Sequence, residues 1–281
     1  FVPKRQKLMP MLIEAVGLVI LHMLLGRFLA KNGYTIPQLY FGVSIFLIML
    51  YFIIEKYFIE KYRRKKVLST FKKYVAPQIV DKLSKDGNFE LKLGGEKRNI
   101  AVLFVDIRGF TPMSENLAPE EVVSILNEYL ALTTSSILAN EGTLDKFIGD
   151  ATMAVFNAPF DLEDYAYKAI LTALAIRDGS DKLAEELQKR FGKTISYGIG
   201  VNMGDAVVGN IGCEFRMDYT AIGDTVNTAA RLESRAKAGE ILISEAVYLE
   251  LKDRIEVEAV GDMELKGKSK AVKVYRLIGV K

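Results

Sequence analysis

Cysteine is nearly absent: Cys213 is the only one among 281 residues. That excludes an internal disulfide framework and a zinc site built from several thiolates. Acidic side chains are scarce at one end. Residues 1–75 carry 13 basic and 3 acidic side chains, whereas the rest of the chain carries 25 and 32. The overall formal charge of +3 conceals this division. Charge of either sign is missing from residues 36–54, and glycine is missing from 55–83. No methionine opens the chain; it begins on Phe1, which reads as a piece of a longer protein. Half of the residues are apolar, and a mean hydropathy of +0.15 is high for a wholly soluble chain. A basic, apolar leader on an acidic body suggests a membrane-proximal segment joined to a soluble domain.

Two apolar runs fill the leader. Residues 8–26 are interrupted only by Pro10, Glu14 and His22, and residues 36–54 contain no charge. At about 1.5 Å of rise per helical residue, each run covers the hydrocarbon core, about 30 Å thick. Two in tandem with basic flanks argue against a buried core helix, and a second span so soon after the first argues against a cleaved signal peptide. Lys4, Arg5 and Lys7 precede the first run, and Lys56, Lys61, Arg63, Arg64, Lys65 and Lys66 follow the second. The positive-inside rule then predicts a multi-pass protein of the cell membrane with both ends cytoplasmic and the turn at residues 31–35 outside. A further span or sensor upstream is compatible with this orientation. His22, the only histidine, is expected to make an interhelical hydrogen bond rather than hold a ligand, and Arg27 sits near enough to the boundary to snorkel.

Domain organisation follows as residues 1–54, a two-helix transmembrane region; 55–94, a helical linker; and 95–281, a catalytic body. The linker has Pro77 as its only breaker up to residue 83, with an incomplete apolar stripe of Phe58, Tyr62, Leu68, Phe71 and Val75 on a basic helix. It reads either as a juxtamembrane helix near anionic lipid or as a parallel two-chain helix that transmits a signal. Residues 85–88 read as a turn, and Gly94 and Gly95 as the last loop.

The body alternates strands and helices. Residues 99–105 form an apolar run consistent with a strand buried on both faces, stopping at Asp106. Pro119, Glu120 and Glu121 open a strong helix that Gly142 closes. Residues 143–148 and 151–156 flank Gly149 and Asp150 as a hairpin. A long helix starts near Asp164, with an interruption expected at Gly179 before 183–190 continues it. Strands are expected at 195–201, 206–208, 241–243 and 272–277, and a short helix at 226–236. This pattern predicts an α+β fold: a mixed, mostly antiparallel sheet with helices mainly on one face.

Asp106 at a strand end and Asp150 at a hairpin tip each have a plain structural reading, as strand terminator and as turn residue. A hairpin packed beside the first strand would instead bring both carboxylates to one sheet edge. That arrangement suits divalent cations bridging a nucleotide's phosphates, because Mg²⁺ favours few carboxylates plus phosphate oxygens and water.

Three further stretches join these acids. F-V-D-I-R-G-F-T over 104–111, K-F-I-G-D over 146–150 and D-Y-T-A-I-G-D-T-V-N-T-A-A-R-L-E over 218–233 resemble the class III nucleotidyl cyclase catalytic domain, in order and spacing. The likeness covers about residues 95–278, and F-K-K-Y-V-A-P over 71–77 is similar to the coupling segment of bacterial sensor cyclases. It implies a ferredoxin-like, palm-like fold and an adenylate cyclase that makes 3′,5′-cyclic AMP and pyrophosphate from ATP. By the same resemblance, Asp106 and Asp150 hold two divalent cations, Mg²⁺ or Mn²⁺. Lys146 and Thr220 read the purine, Asn227 orients the ribose, Arg231 meets charge on the transferring phosphoryl group, and Lys266 contacts the terminal phosphates, with Lys268 as the alternative. Taken singly these have bland readings: solvated strand, β-former, local hydrogen bonding, surface charge, basic turn.

Guanine-selective relatives carry an acid at the position of Lys146, so the resemblance points to ATP. Thr220 replaces the Asp of many adenylate-specific members, and a hydroxyl, able to donate or accept, discriminates less strictly. The resemblance further implies a homodimer, through catalytic domain and linker helix, with each site shared between two chains. The segment 209–219, with Cys213 and Phe215, is expected to project as a hairpin into that interface. ATP and the lipid bilayer are the expected partners, with no nucleic acid. The competing readings are a guanylate cyclase and a catalytically weak nucleotide-binding signalling module; a diguanylate cyclase lacks its G-G-[DE]-E-F signature here.

Overall fold

The computed structural model describes residues 8–34, 38–71, 78–79, 93–264 and 271–281. The chain divides into two units, residues 1–71 and 72–281. The first holds helices α1 (Leu8–Lys31) and α2 (Gln38–Phe71). Asn32 ends α1 by donating from its side-chain amide to the Phe28 carbonyl at 3.0 Å, and Gly33 takes a left-handed turn conformation with φ +83°. Along both helices large apolar side chains such as Leu21, Phe28, Phe46 and Tyr51 are exposed. α2 runs on past residue 54 into the stretch read from sequence as a helical linker. With no glycine or proline inside its second half, it runs unbroken for 34 residues, about 51 Å at about 1.5 Å per residue.

The second unit is an α+β fold on an eight-stranded sheet. Its strands are β1 (Gly94–Arg108), β2 (Thr143–Ile148), β3 (Ala151–Phe156), β4 (Ser196–Cys213), β5 (Arg216–Ile222), β6 (Glu240–Ser244), β7 (Ile255–Met263) and β8 (Val272–Val280). Their order is β2-β3-β1-β4-β6-β8-β7, with β5 paired to β4. Only β4 and β6 run parallel; every other pairing is antiparallel, as expected for the mixed sheet.

The described residues of this unit also hold helices α3 (Phe110–Ser114), α4 (Pro119–Ala139), α5 (Tyr165–Phe191), α6 (Asp224–Arg235) and α7 (Glu245–Leu251). Ala101, Leu103, Val105 and Ile107 of β1 pack with Ile125 and Tyr129 of α4 and Ala169 and Ile170 of α5. The alternate residues Ile100, Val102 and Phe104 face Val226 and Ala229 of α6. Burial on both faces is why residues 99–105 read as continuous apolar sequence rather than alternation. Within the described residues α4 and the stretch 42–67 of α2 are each long and apolar enough to cross a bilayer. α4 buries its stripe of Ile125, Tyr129, Thr133, Ser136 and Ile137, as a core helix does.

Several boundaries differ from the sequence reading. Gly94 and Gly95 lie inside β1, paired with Asn210 and Gly209, rather than in a loop. Asp106 does not end its strand, which continues to Arg108. The left-handed residue after α4 is Glu141, φ +59°, with the amides of Glu141 and Gly142 donating to Leu138 and Ile137. Gly179 leaves α5 intact, because its missing Cβ lets Leu132 of α4 lie against the helix. Residues 196–201 and 206–208 belong to the single 18-residue strand β4, which Ile195 precedes. The predicted turn at 85–88 lies outside the described residues.

Candidate active site

β1 and β3 pair as far as Val105 opposite Thr152. One residue further along β1 stands Asp106, and two residues before Thr152 stands Asp150, in the β2–β3 turn that Gly149 makes at φ +65°. The side chains of Asp106 and Asp150 are thereby within hydrogen-bonding reach of each other. Asp106 is half-buried, and its carboxyl rises to about 7. Burial is the main cause, followed by the charges of Asp150 and Glu233, with Arg108 opposing. Burial and the neighbouring negative charge both favour the protonated form of Asp106. A divalent cation fits the same place, since it neutralises the repulsion that raises Asp106. Among the described residues no group of three or more His, Cys, Asp or Glu side chains forms a metal cluster. Two carboxylates could hold a cation here, with positions left for phosphate oxygens and water.

Arg108, two residues beyond Asp106 on the same side of β1, was not singled out by the sequence. Its Nη1 donates to Asp106 Oδ2 at 3.2 Å, its Nε to the Ala236 carbonyl at 3.0 Å, and its Nη2 to the Glu233 carbonyl. The same Nη2 lies 2.7 Å from the Glu233 carboxylate. Burial pushes the Glu233 carboxyl up, and Arg108 opposes the shift. The guanidinium crosses over Gly198, the β4 residue opposite Asp106, where a Cβ would overlap it.

Lys146 and Thr220 meet through a residue the sequence reading passed over. Asp145 is buried, accepts from the Thr220 hydroxyl at 2.6 Å and from the Ala221 amide at 3.4 Å, and pairs with Lys146 Nζ at 3.3 Å. Burial raises its carboxyl, while Thr220, Lys146 and Ala221 counter that effect. The only sequence signal was an acid directly before Lys146 in a strand.

α6 lies directly on the sheet because Gly200 of β4 leaves room for the backbone at Ala229 and Glu233. Its first turn is fixed from β4. Asn202 donates to the Thr225 carbonyl at 2.8 Å, and the Thr225 hydroxyl donates to the Asp205 carbonyl at 2.7 Å. Asn227 and Arg231, four residues apart, share one face. Asn227 is exposed, and Arg231 Nη1 is buried without a hydrogen-bond partner among the described residues. A buried donor of this kind is costly to leave unmade. The β4–β5 hairpin projects as expected, with Cys213 exposed and Phe215 at the tip 96% exposed. Lys266 and Lys268 lie outside the described residues.

Residues 94–279 match the adenylate and guanylate cyclase catalytic domain family. Adenylate cyclase 1 of Rhizobium meliloti strain 1021 is 34% identical over 223 residues, covering 78% of this chain and 33% of that relative. The chain thus spans about a third of the length of that curated relative. The crystal structure of the adenylyl cyclase CyaB from P. aeruginosa is similar at a TM-score of 0.65 and 38% identity, covering 67% of this chain and 98% of CyaB. That of the guanylyl cyclase Cya2 is similar at 0.65 and 35%, covering 67% and 96%.

Proposed function

This chain belongs to the class III adenylate and guanylate cyclase family, and from that premise we propose that it is a membrane-anchored adenylate cyclase. The observation that carries the reading is the carboxylate pair Asp106 and Asp150, crowded at one sheet edge and needing a positive partner. In the reaction the ribose 3′-oxygen bonds to the α-phosphorus of ATP as the α–β bridging bond breaks. Cyclic AMP and pyrophosphate leave, and the hydroxyl proton passes to solvent. Asp106 and Asp150 would hold two divalent cations, Mg²⁺ or Mn²⁺, which would supply Lewis acidity toward the 3′-hydroxyl and the departing pyrophosphate.

The remaining work falls to side chains. Arg231, with Nη1 unpaired among the described residues, donates to the equatorial oxygens as negative charge builds on them. Asn227, one turn earlier, orients the ribose. The base preference follows from hydrogen-bond polarity. The Thr220 hydroxyl spends its proton on Asp145, so its oxygen is left as an acceptor, suited to the adenine amine and not to the guanine carbonyl. Lys146 keeps N–H donors beyond its contact with Asp145 and offers one to adenine N1.

Two such domains form a homodimer in which the acid pair of one chain faces Asn227 and Arg231 of the other. The unpaired Arg231 nitrogen and the exposed Phe215 support this arrangement. α1 and α2 insert in the bilayer, as their exposed apolar side chains require, with the catalytic domain in the cytoplasm. Lys266 contacts the terminal phosphates. The test is turnover of ATP and GTP by the full chain with Mn²⁺, alongside Asp106→Ala and Asp150→Ala. ATP is the preferred substrate, and each variant loses about a hundredfold or more in rate, as the loss of several kcal/mol of charge stabilisation requires. Near wild-type turnover in either variant, or a preference for GTP, contradicts the reading.

A further inference from the structure

Arg108 touches two things at once: the carboxylate of Asp106 and the C-terminal turn of α6. Four contacts from one guanidinium fix it on both sides, and Gly198 beneath it leaves the space. Resting on the shared-site reading above, this has a consequence for the dimer. One chain's Asp106 serves one active site, while the same chain's Asn227 and Arg231 serve the other. We propose that Arg108 is a positioning residue that couples the two active sites of the dimer, tying the metal carboxylate of one site to the helix that serves the second.

The chemistry favours arginine for this task. A planar fork presents donors in several fixed directions, whereas a lysine ammonium is a point charge that satisfies one neighbour well. Moving Asp106 toward a bound cation therefore draws on contacts that also hold the carbonyls of Glu233 and Ala236. The Glu233 carbonyl also accepts from the Ala236 amide, which closes the turn after Arg231.

The test uses full-length chains in mixed dimers. One chain carries Asp106→Ala, and its partner carries Arg231→Ala. Only one intact site remains, with its acids from the Arg231→Ala chain and its α6 from the Asp106→Ala chain. Arg108→Lys is then added to either chain in turn. Added to the Arg231→Ala chain, it raises the Mn²⁺ concentration for half-maximal rate about tenfold, the scale of a lost charge-assisted hydrogen bond. A thermal-shift titration of that chain with Mn²⁺ weakens equally. Added to the Asp106→Ala chain, it leaves the Mn²⁺ requirement unchanged and lowers kcat about tenfold through α6. Gly198→Ala, which displaces the guanidinium without altering its charge, reproduces both effects and covers the case in which the lysine variant folds poorly. An effect confined to one chain overturns the coupling while leaving the shared site standing. An inactive parent mixture, before Arg108 is touched, overturns the shared site and the coupling together.

Discussion

Asp106 combines burial with two neighbouring acids, and this sets a pH signature. Its folded pKa of about 7 lies above the unfolded value near 3.8, so its contribution to stability is fully present below that unfolded value. It is lost as pH rises from there through about 7. A divalent cation takes the place of the proton, so added Mn²⁺ raises the unfolding temperature much more at pH 8 than at pH 5.5. Asp106→Asn removes most of that difference and is more stable than the metal-free wild type at pH 8. An equal Mn²⁺ shift at both pH values contradicts the assignment. Base choice is also a single-residue matter. Lys146→Glu replaces a donor with an acceptor and lowers the ratio of ATP to GTP turnover by about tenfold or more; an unchanged ratio removes Lys146 from base recognition. Asp106 and Asp150 were legible in the sequence because a buried strand and a two-residue hairpin each place an acid at a defined point. The roles of Arg108 and Asp145 were not, since Arg108 finds its helix partners 125 and 128 residues away. The partner of Asp145, Thr220, lies 75 residues on.

Among the elements, those buried on both faces were read best. β1, α4, β2 and β3 carry strong apolar patterns, and their existence follows from sequence. β4 was read as two strands because Gly204, with φ +152°, breaks the apolar run without breaking the pairing to β1. β7 was missed for another reason: it is an edge strand, mostly exposed, and its apolar residues at 255, 257 and 259 make only a short alternation before Gly261 and Asp262. Gly179 looks like an interruption in sequence but, like Gly200, serves close packing between elements. The β4–β5 hairpin yields an element-level prediction. A phenylalanine 96% exposed at its tip is an interface anchor in the dimer reading. Phe215→Asp therefore weakens dimerisation by about tenfold or more in sedimentation, with unfolding of the domain little changed. A dimer of unchanged affinity contradicts the hairpin's place in the interface.

For the molecule as a whole, charge and hydropathy separate a basic apolar leader from an acidic catalytic body, and the structure divides the chain near the same place, after residue 71. Nothing in residues 55–71 stops a helix, so α2 carries the basic cluster at 61–66 on the same rod as its apolar half. In the proposed reading, a membrane-tethered pair of chains has two composite sites, each built from acids on one chain and α6 on its partner. This is the central claim, and mixing Asp106→Ala chains with Arg231→Ala chains tests it most directly. Each variant alone has no intact site. In an equal, freely exchanging mixture half of the dimers carry one intact site of two, so two-fold symmetry predicts recovery to about a quarter of the wild-type rate. A mixture no more active than either parent contradicts a site shared between chains.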